Sequence, residues 1–302
     1  MPELPDIVIY IEALEARVLN QTLESIRIVS PFVLRSVDPS PESLVGRKVQ
    51  SVRRLGKQIA IGFEGDHFLV LHLMIAGRLQ WKESRSGLSG KTALAAFDFP
   101  SGTLTLTEAG SKKRASLHVV RGSKALESFN RHALEVLDSS FENFESVLRR
   151  ENHTLKRSLT DPRLFSGVGN AYSDEILHHA RLSPMKLTSR LSDEEARRLW
   201  DSTRTVLSDW VTRLREQTAG EFPAKVTAFR PEMAVHGRYG KPCPRCGSPV
   251  QRIVYAENEC NYCAPCQTEG RLLADRALSR LLKEDWPRSL DEMEKHIEAR
   301  RA

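Results

Sequence analysis

The stretch CPRCGSPVQRIVYAENECNYCAPC, residues 243–266, contains all five cysteines of the chain. Cys243 and Cys246 form one Cys-x-x-Cys pair, and Cys263 and Cys266 form a second pair after sixteen intervening residues. This spacing is typical of a structural zinc site in which four thiolates surround one ion. The residues between the pairs are rich in β-formers, so we expect a hairpin that brings two cysteine knuckles together.

Cys260 leaves a second choice of ligands, because Cys260 and Cys263 are also a Cys-x-x-Cys pair. We favour Cys263 and Cys266 as ligands and treat Cys260 as a spare thiol. The other interpretation of the cluster is a set of free or disulfide-bonded cysteines. Disulfides are rare in a reducing cytosol, where this chain is expected to remain, so the zinc interpretation is preferred.

Composition indicates a globular protein. The chain has 302 residues with 40% apolar residues, and 45 Lys plus Arg against 39 Asp plus Glu give a net charge of +6. This length favours two domains, with room for a small third module. No run of 18 or more apolar residues exists, which argues against a membrane-spanning helix. The first residues lack the features of a signal peptide, so a cytoplasmic location is expected. The basic excess alone is only a weak indication of a polyanionic partner.

The pattern of apolar residues predicts an α+β fold. An amphipathic helix is expected over residues 5–19, with one face formed by Ile7, Ile11, Leu14 and Val18. Eight short strand-like segments follow between residues 24 and 120, among them HFLVLHLMI at 67–75, which favours a β-sandwich or barrel. Helical periodicity then dominates from about 141 to 216.

The amino terminus offers a nucleophile. Removal of Met1 would expose the secondary amine of Pro2. An α-amino group titrates near about 8, against about 10.4 for lysine, so it is partly neutral at neutral pH. Such an amine can attack a carbonyl-level carbon and form an iminium. Glu3 is an adjacent general acid and base. The alternative is that Pro2 has no chemical role.

Four motifs occur in order along the chain: MPELPD at residues 1–6, Lys57 within RRLGKQ, GVGNAYSDE at 167–175, and the cysteine module. Together they resemble the formamidopyrimidine-DNA glycosylase and endonuclease VIII family of base-excision repair enzymes, over about residues 1–270. The resemblance implies an N-terminal β-sandwich with an N-terminal helix, a helix-two-turn-helix domain and a C-terminal β-hairpin zinc finger. Damaged double-stranded DNA would bind between the two lobes.

Five segments are therefore expected, in chain order: a catalytic β-sandwich at 1–120, a connector at 121–140, a helix-two-turn-helix DNA-binding domain at 141–236, a zinc finger at 237–270 and a C-terminal extension, predicted to be helical, at 271–302.

The resemblance also implies a mechanism on a base that is flipped out of the duplex. Pro2 would attack C1′ of the damaged nucleotide, Glu3 would supply protons, and Lys57 would contact a flanking phosphate. Successive β- and δ-eliminations would then cut the strand. A bacterial-type, nucleoid-associated monomer with one structural Zn²⁺ is expected.

Further residues are implied as DNA contacts. His72 in LHLMIAGR and Asn170 in the GVGN turn match phosphate-contacting positions, and Lys112, Lys113 and Arg114 offer further cations. A structural histidine, a helix cap and solvated surface cations are the simpler interpretations. Lys156 and Glu175 match supporting positions in the helical domain, with a surface ion pair as their alternative.

Three departures from the family pattern leave lesion and opposite base open. Asn258 stands where the finger usually has an arginine. Ile75 stands at the wedge position of HLMIAG, with Met74 beside it. TEAGSKKR at 107–114 replaces the loop that probes the opposite strand, and it has no aromatic residue.

Three functions are consistent with these patterns. The first is a bifunctional glycosylase and abasic-site lyase for oxidised bases, either formamidopyrimidine or 8-oxoguanine, with oxidised pyrimidines also open. The second is a DNA-binding member of the family with weak or no glycosylase activity that recognises damaged or abasic DNA. The third, a zinc-ribbon protein that binds RNA, does not explain the N-terminal and helical motifs. We favour the first.

Overall fold

The computed structural model describes residues 1–85, 87, 90–110, 112–224, 226–255, 258–274, 281 and 286–299. The chain divides into two compact units, Met1–Ala133 with Ser208–Ala228, and Leu134–Leu207 with Phe229–Ala302. The predicted α+β class is confirmed, with a sandwich in the first unit, and helices and a cysteine-bearing hairpin in the second. The finer division into five segments remains a prediction.

The first unit opens with helix α1, Leu4–Val18, close to the predicted 5–19. Glu3 occupies the N-cap position, and Pro5 lies in the first turn, where a missing N–H costs nothing. Ile7, Leu14 and Val18 are fully buried, as their spacing predicts.

Eight strands follow, at the eight places that the sequence predicts. They are β1 Ser25–Ile28, β2 Val49–Leu55, β3 Gln58–Phe63, β4 His67–His72, β5 Gly77–Lys82, β6 Ala93–Phe99, β7 Gly102–Glu108 and β8 Ser116–Arg121. They form two antiparallel four-stranded sheets, ordered β1-β6-β7-β5 and β2-β3-β4-β8. Side chains such as Ile61, Leu71 and Leu104 fill a single core with the buried face of α1. A short helix, α2 at Ser123–Glu127, places Leu126 against the outer face of the second sheet.

The second unit is built on helices. They are α3 Phe141–Leu148, α4 Leu155–Thr160, α5 Asn170–His179 and α6 Asp193–Thr218. Ser140 and Thr154 cap α3 and α4 by accepting backbone N–H bonds. Phe144 and Phe165 are buried together with 5.0 Å between ring centroids. The last residues of α6, from Ser208 onward, group with the first unit.

The cysteine module forms the predicted hairpin. Strand β9, Gln251–Tyr255, pairs with β10, Asn258–Tyr262, and helix α7 follows at Ala264–Thr268. The side chain of Asn258 lies outside the described residues.

The described part of the C-terminal extension packs on this hairpin. Leu272 is buried, Leu273 donates its N–H to the Tyr262 hydroxyl at 2.8 Å, and helix α8, Leu290–Ala299, contributes Leu290 to the same cluster. Of the extension predicted to be helical at 271–302, residues 275–280, 282–285 and 300–302 lie outside the described residues, and Leu281 is exposed. Among the described residues, none of the helices combines the length and apolar character needed to cross a membrane.

Candidate active site and metal centre

The amino terminus is buried at the start of α1. Pro2 is buried and Glu3 is 3% exposed. The Glu3 N–H donates to the Asp6 carboxylate at 2.9 Å, and the Glu3 carbonyl accepts the first helical bond from Ile7 at 3.0 Å. These bonds fix the backbone of the first turn, so the residue before it has a defined position. The Glu3 carboxylate, two residues along from the terminal amine of Met1, is near enough for its charge to act on that amine.

Burial lowers the pKa of the terminal amine of Met1. The negative charge of Glu3 raises it, and the positive charges of Arg78 and Lys57 lower it further. The net direction is downward, so a larger fraction of the amine is neutral than in a free peptide. Removal of Met1 would make the nitrogen of the buried Pro2 the terminal amine, one residue along from the group on which these charges act.

Lys57 lies in the tight turn between β2 and β3. Leu55 pairs with Gln58 across this turn, and Gly56 adopts a left-handed conformation at φ +62°. The hairpin thereby holds Lys57 at the tip of the sheet, close enough to the amino terminus for its charge to lower the pKa there.

His72 ends β4, next to Gln58 of β3 and Ser116 of β8. Burial and the charges of Lys57, Arg131 and His118 lower its pKa to about 4. His72 is therefore neutral at physiological pH and can donate one N–H to a phosphate oxygen without adding charge.

A compact turn, Leu73–Ala76, follows His72 and ends the strand earlier than the run HFLVLHLMI predicts. Gly77 donates its N–H to the Leu73 carbonyl at 2.8 Å, and a Cβ at Gly77 would lie 2.2 Å from that oxygen, so only glycine fits. Ile75, at 54% exposure, presents its side chain to solvent, whereas Met74 is partly buried. Of the two apolar candidates for a wedge, Ile75 is the more accessible.

Arg78 fastens this turn. Its guanidinium donates to the carbonyls of Ile75 at 3.0 Å and Gly77 at 2.6 Å. Its charge also acts on the terminal amine. Sequence reasoning missed Arg78, because an arginine after a glycine in a strand carries no recognisable pattern.

The three cations predicted after β7 differ in their surroundings. Glu108 is 1% exposed, and its carboxylate accepts the N–H groups of Arg114 and Ala115, which shapes the loop. The Lys113 ammonium turns inward and donates to the Glu108 carbonyl. Lys112 and Arg114 are exposed. Two of the three cations therefore face solvent.

In the second unit, the GVGN turn leads into α5. Gly167 has φ +77°, and Gly169, not Asn170, is the N-cap residue. Asn170 is the first helical residue, and its side-chain amide donates to the Glu259 carbonyl of β10 at 2.9 Å. The helix-cap alternative for Asn170 is therefore wrong, and its side chain instead links the turn to the hairpin.

Lys156 and Asp174 form a buried pair beside this turn. The Lys156 ammonium donates to Asp174 at 2.6 Å and to the Asn170 carbonyl at 2.7 Å. His236 lies 2.8 Å from the other Asp174 oxygen, which also accepts the Asn261 N–H at 3.1 Å. Lys156 is only 4% exposed, so a surface ion pair does not describe it.

Glu175 is also buried, at 6% exposure. Its carboxylate accepts three backbone N–H groups, from Ala234, Val235 and His236, at 2.7 to 2.9 Å. Burial raises the pKa of Glu175, although these N–H groups oppose that shift. The residue fixes the chain that enters the cysteine module, and its described partners are these backbone groups and not Lys156.

The predicted four-cysteine cluster is confirmed. The Sγ atoms of Cys243, Cys246, Cys263 and Cys266 all lie within 4.8 Å of one another. The distance is 3.4 Å between Cys246 and Cys263 and 4.0 Å between Cys243 and Cys266. Tetrahedral zinc at about 2.3 Å from each sulfur requires sulfur separations of about 3.8 Å, so the donor set fits such an ion.

Cys260 lies outside the cluster, as the choice of Cys263 and Cys266 predicts. It is 1% exposed, and burial and the neighbouring Asp174 raise the pKa of its thiol. Cys260 therefore remains a protonated thiol in the hairpin.

Family models for the formamidopyrimidine-DNA glycosylase N-terminal domain and H2TH domain match residues 1–114 and 133–219. The formamidopyrimidine-DNA glycosylase of Heliobacterium modesticaldum is 32% identical over 279 residues, covering 88% of this chain and 100% of that protein. That of Thermus thermophilus is 34% identical over 280 residues, covering 89% and 100%. The chain belongs to the formamidopyrimidine-DNA glycosylase family.

Solved structures of the family agree with this assignment. The MutM (Fpg) protein from Thermus thermophilus has a TM-score of 0.73 and 31% identity, covering 88% of this chain and 98% of that one. A complex of Lactococcus lactis Fpg with DNA containing Fapy-dG has a TM-score of 0.78 and 25% identity, covering 88% and 100%. Both comparisons confirm the family fold across most of the chain.

His178 is a second residue that sequence reasoning missed. Its Nε2 lies 3.3 Å from Sγ of Cys243, and its side chain is buried. Asn170, Asp174 and His178 recur every four residues, so they share one face of a helix. This four-residue spacing of polar side chains was the feature of the sequence that could have indicated a role for His178.

Proposed function

We propose that the chain is a bifunctional DNA glycosylase and abasic-site lyase, with Pro2 as nucleophile. The substrate class is an oxidised base of the formamidopyrimidine or 8-oxoguanine type in double-stranded DNA, with oxidised pyrimidines also included. Family membership supports DNA glycosylase activity, and the burial of Pro2 next to the buried Glu3 is the observation that carries the lyase chemistry.

In the first step, the nitrogen of processed Pro2 attacks C1′ of the damaged nucleotide. The N–C1′ bond forms, the glycosidic bond breaks, and the base leaves with the bonding electrons and takes up a proton. The burial of Pro2 and the net lowering of the pKa of the adjoining Met1 amine support this role, since only a neutral amine has a lone pair for attack.

Glu3 supplies and removes protons around this bond. Its buried carboxylate lies one residue from the nucleophile. Protonation of the sugar ring oxygen breaks the C1′–O4′ bond and gives the iminium, which is an electron sink. A base then removes a C2′ proton, and the 3′ phosphate leaves by β-elimination. δ-Elimination expels the 5′ phosphate in turn.

Each unit has groups that we propose as contacts of the DNA backbone. Lys57 contacts a phosphate next to the lesion, and neutral His72 donates to another phosphate oxygen. Asn170 and the exposed cations Lys112 and Arg114 are further proposed contacts. Lys113 is included as well, although its ammonium faces inward. The turn positions and exposure of the cations support contact with a polyanion, which Lys and Arg neutralise.

Cys243, Cys246, Cys263 and Cys266 would hold one zinc ion. When bound, the ion supplies folding energy to the hairpin module and takes no part in the reaction. We also propose that the protein acts as a monomer on damaged double-stranded DNA.

Borohydride trapping on a duplex with one abasic site tests the proposal. Borohydride reduces an iminium and leaves the protein covalently fixed to the DNA. We expect trapping by the intact protein and its loss in Pro2→Gly. Tight binding to the same duplex without any trapped adduct would instead support a DNA-binding member without turnover. A panel of duplexes, each with one oxidised base, then identifies the preferred lesion.

A further inference from the structure

Helix α5 carries a stripe of polar side chains that faces the cysteine module. Asn170, Asp174 and His178 are spaced by four residues, so they lie one above another along one face. Asp174 and His178 are at most 4% exposed. Each makes a contact with the module, and the three contacts extend from the first turn of the helix to its last.

The contacts follow the hairpin in order. Asn170 donates to the Glu259 carbonyl at 2.9 Å, and Asp174 accepts the Asn261 N–H at 3.1 Å. Both partners belong to β10. At the other end of the helix, His178 lies 3.3 Å from Sγ of Cys243. One rigid element therefore joins the GVGN turn to a predicted metal ligand.

The direction of the His178 contact follows from chemistry. A metal-bound thiolate has no proton and can only accept. Nε2 must then carry the hydrogen and donate it to the sulfur. A guanidinium N–H of Arg245, which lies between Cys243 and Cys246, donates to the His178 carbonyl at 3.3 Å. The last turn of α5 therefore donates a hydrogen bond to the first cysteine knuckle and accepts one from it.

We propose that His178 is a positioning residue for the metal centre, and that α5 carries the state of that centre to the Asn170 turn. The N–H to sulfur bond partly neutralises the Cys243 thiolate and fixes its orientation toward the ion. Loss of the metal frees the knuckle, removes the anchor at the end of α5, and loosens the turn eight residues earlier. This inference rests on the proposed zinc and on the proposed contact of Asn170 with DNA.

The role of His178 at the metal centre can be tested by measuring how fast zinc-loaded full-length protein transfers its metal to a chromogenic chelator. Partners in the outer shell of a metal site typically change affinity by about 10–100-fold. We expect His178→Phe, which keeps an aromatic ring and removes the donor, to release zinc at least about tenfold faster than wild type. His178→Gln retains an N–H donor and should recover much of the loss.

His179 provides a matched control. It adjoins His178 on α5, is exposed, and contacts Ser202 of α6 through Nδ1 at 2.9 Å. His179→Phe and His179→Gln should release zinc at the wild-type rate. Equal release by His178→Phe and His179→Phe would overturn the proposal. Equal acceleration by His178→Phe and His178→Gln would also overturn it, since the effect would then come from packing and not from the donor.

Amide hydrogen exchange at residues 169–173 tests the second part. In wild type, metal removal should accelerate exchange at this turn. In zinc-loaded His178→Phe, exchange at this turn should already be faster than in zinc-loaded wild type. Metal removal should then accelerate it by a smaller factor than in wild type. Unchanged exchange in wild type after metal removal would overturn the link through α5.

Two different results would refute the zinc assignment and the proposed role of His178. Wild-type protein without bound zinc would refute the metal assignment and this inference together. Bound zinc with a His178→Phe variant that behaves as wild type would refute this inference alone.

Discussion

Two sets of polar groups, one in each unit of the molecule, are held in opposite ways. In the first, Lys57 and Ile75 lie at the tips of tight turns, and the amine is surrounded by Glu3, Arg78 and Lys57 charges that shift its pKa. In the second, Lys156 and Asp174 are buried and bonded to several partners each. The first arrangement leaves groups available to a substrate, whereas the second fixes a scaffold. Changes in the first set should alter chemistry with little loss of stability, and changes in the second set should do the reverse.

Cys243→Ser should have the largest effect. Structural zinc contributes roughly 10–16 kcal/mol in small modules, so loss of one thiolate should release the metal and unfold the hairpin. Metal content by mass spectrometry and hydrogen exchange over 243–266 measure this. Cys260→Ser is the matched control and should retain one metal per chain. A metal-free protein with an ordered hairpin and full DNA binding would contradict the expectation.

Lys156→Met should cost about 3–5 kcal/mol, because it leaves a buried carboxylate without its cation. Urea unfolding of the metal-loaded protein measures the loss. Lys186→Met is the control, since Lys186 pairs with Glu195 at a partly exposed site worth about 0–1 kcal/mol. Similar losses in the two variants would show that the buried pair has no special importance.

Arg78→Gln should shift the pH dependence of trapping. The neutral amine attacks, and a nearby cation disfavours the protonated form. Arg78 lowers the pKa of the Met1 amine, and we expect it to act in the same direction on the amine of processed Pro2. Removal of that charge should raise the apparent pKa of trapping. Trapping at saturating DNA should then slow markedly on the acidic side and change little at high pH. Arg121→Gln, at an exposed strand end, should leave the profile unchanged. An unshifted profile in Arg78→Gln would show that its charge does not reach the amine.

Ile75→Ala should have the smallest effect. If Ile75 fills the gap left by a flipped base, its truncation should slow excision of an oxidised base several-fold. Cleavage at an abasic site, which has no base to extrude, should be unaffected. Val37→Ala provides a control at an exposed apolar position of the same unit. Equal slowing on both duplexes would argue against a wedge.

The sequence predicted which helices and strands form more accurately than it predicted the residues at which they end. Periodicity located α1 and all eight strands of the sandwich, because burial of one face dictates both patterns. The same periodicity extended β4 through Ile75, which was wrong. The chain turns there instead, and the turn is held by hydrogen bonds from Gly77 and Arg78 that residue propensities do not reveal.

The metal cluster was predictable because ligand spacing is a local property. The polar network of the second unit was not, since Asp174 meets His236 and Asn261 only through the fold. Asn170 was assigned as a possible cap from its place before a helix, yet its amide turns to Glu259, which lies 89 residues away in sequence.

Peptide mapping of the borohydride-trapped complex by mass spectrometry tests the central claim most directly. We expect the trapped protein to lack Met1 and to carry the reduced sugar on the nitrogen of Pro2. A trapped protein that retains Met1, or one that carries the sugar on Lys57 or another lysine, would contradict it.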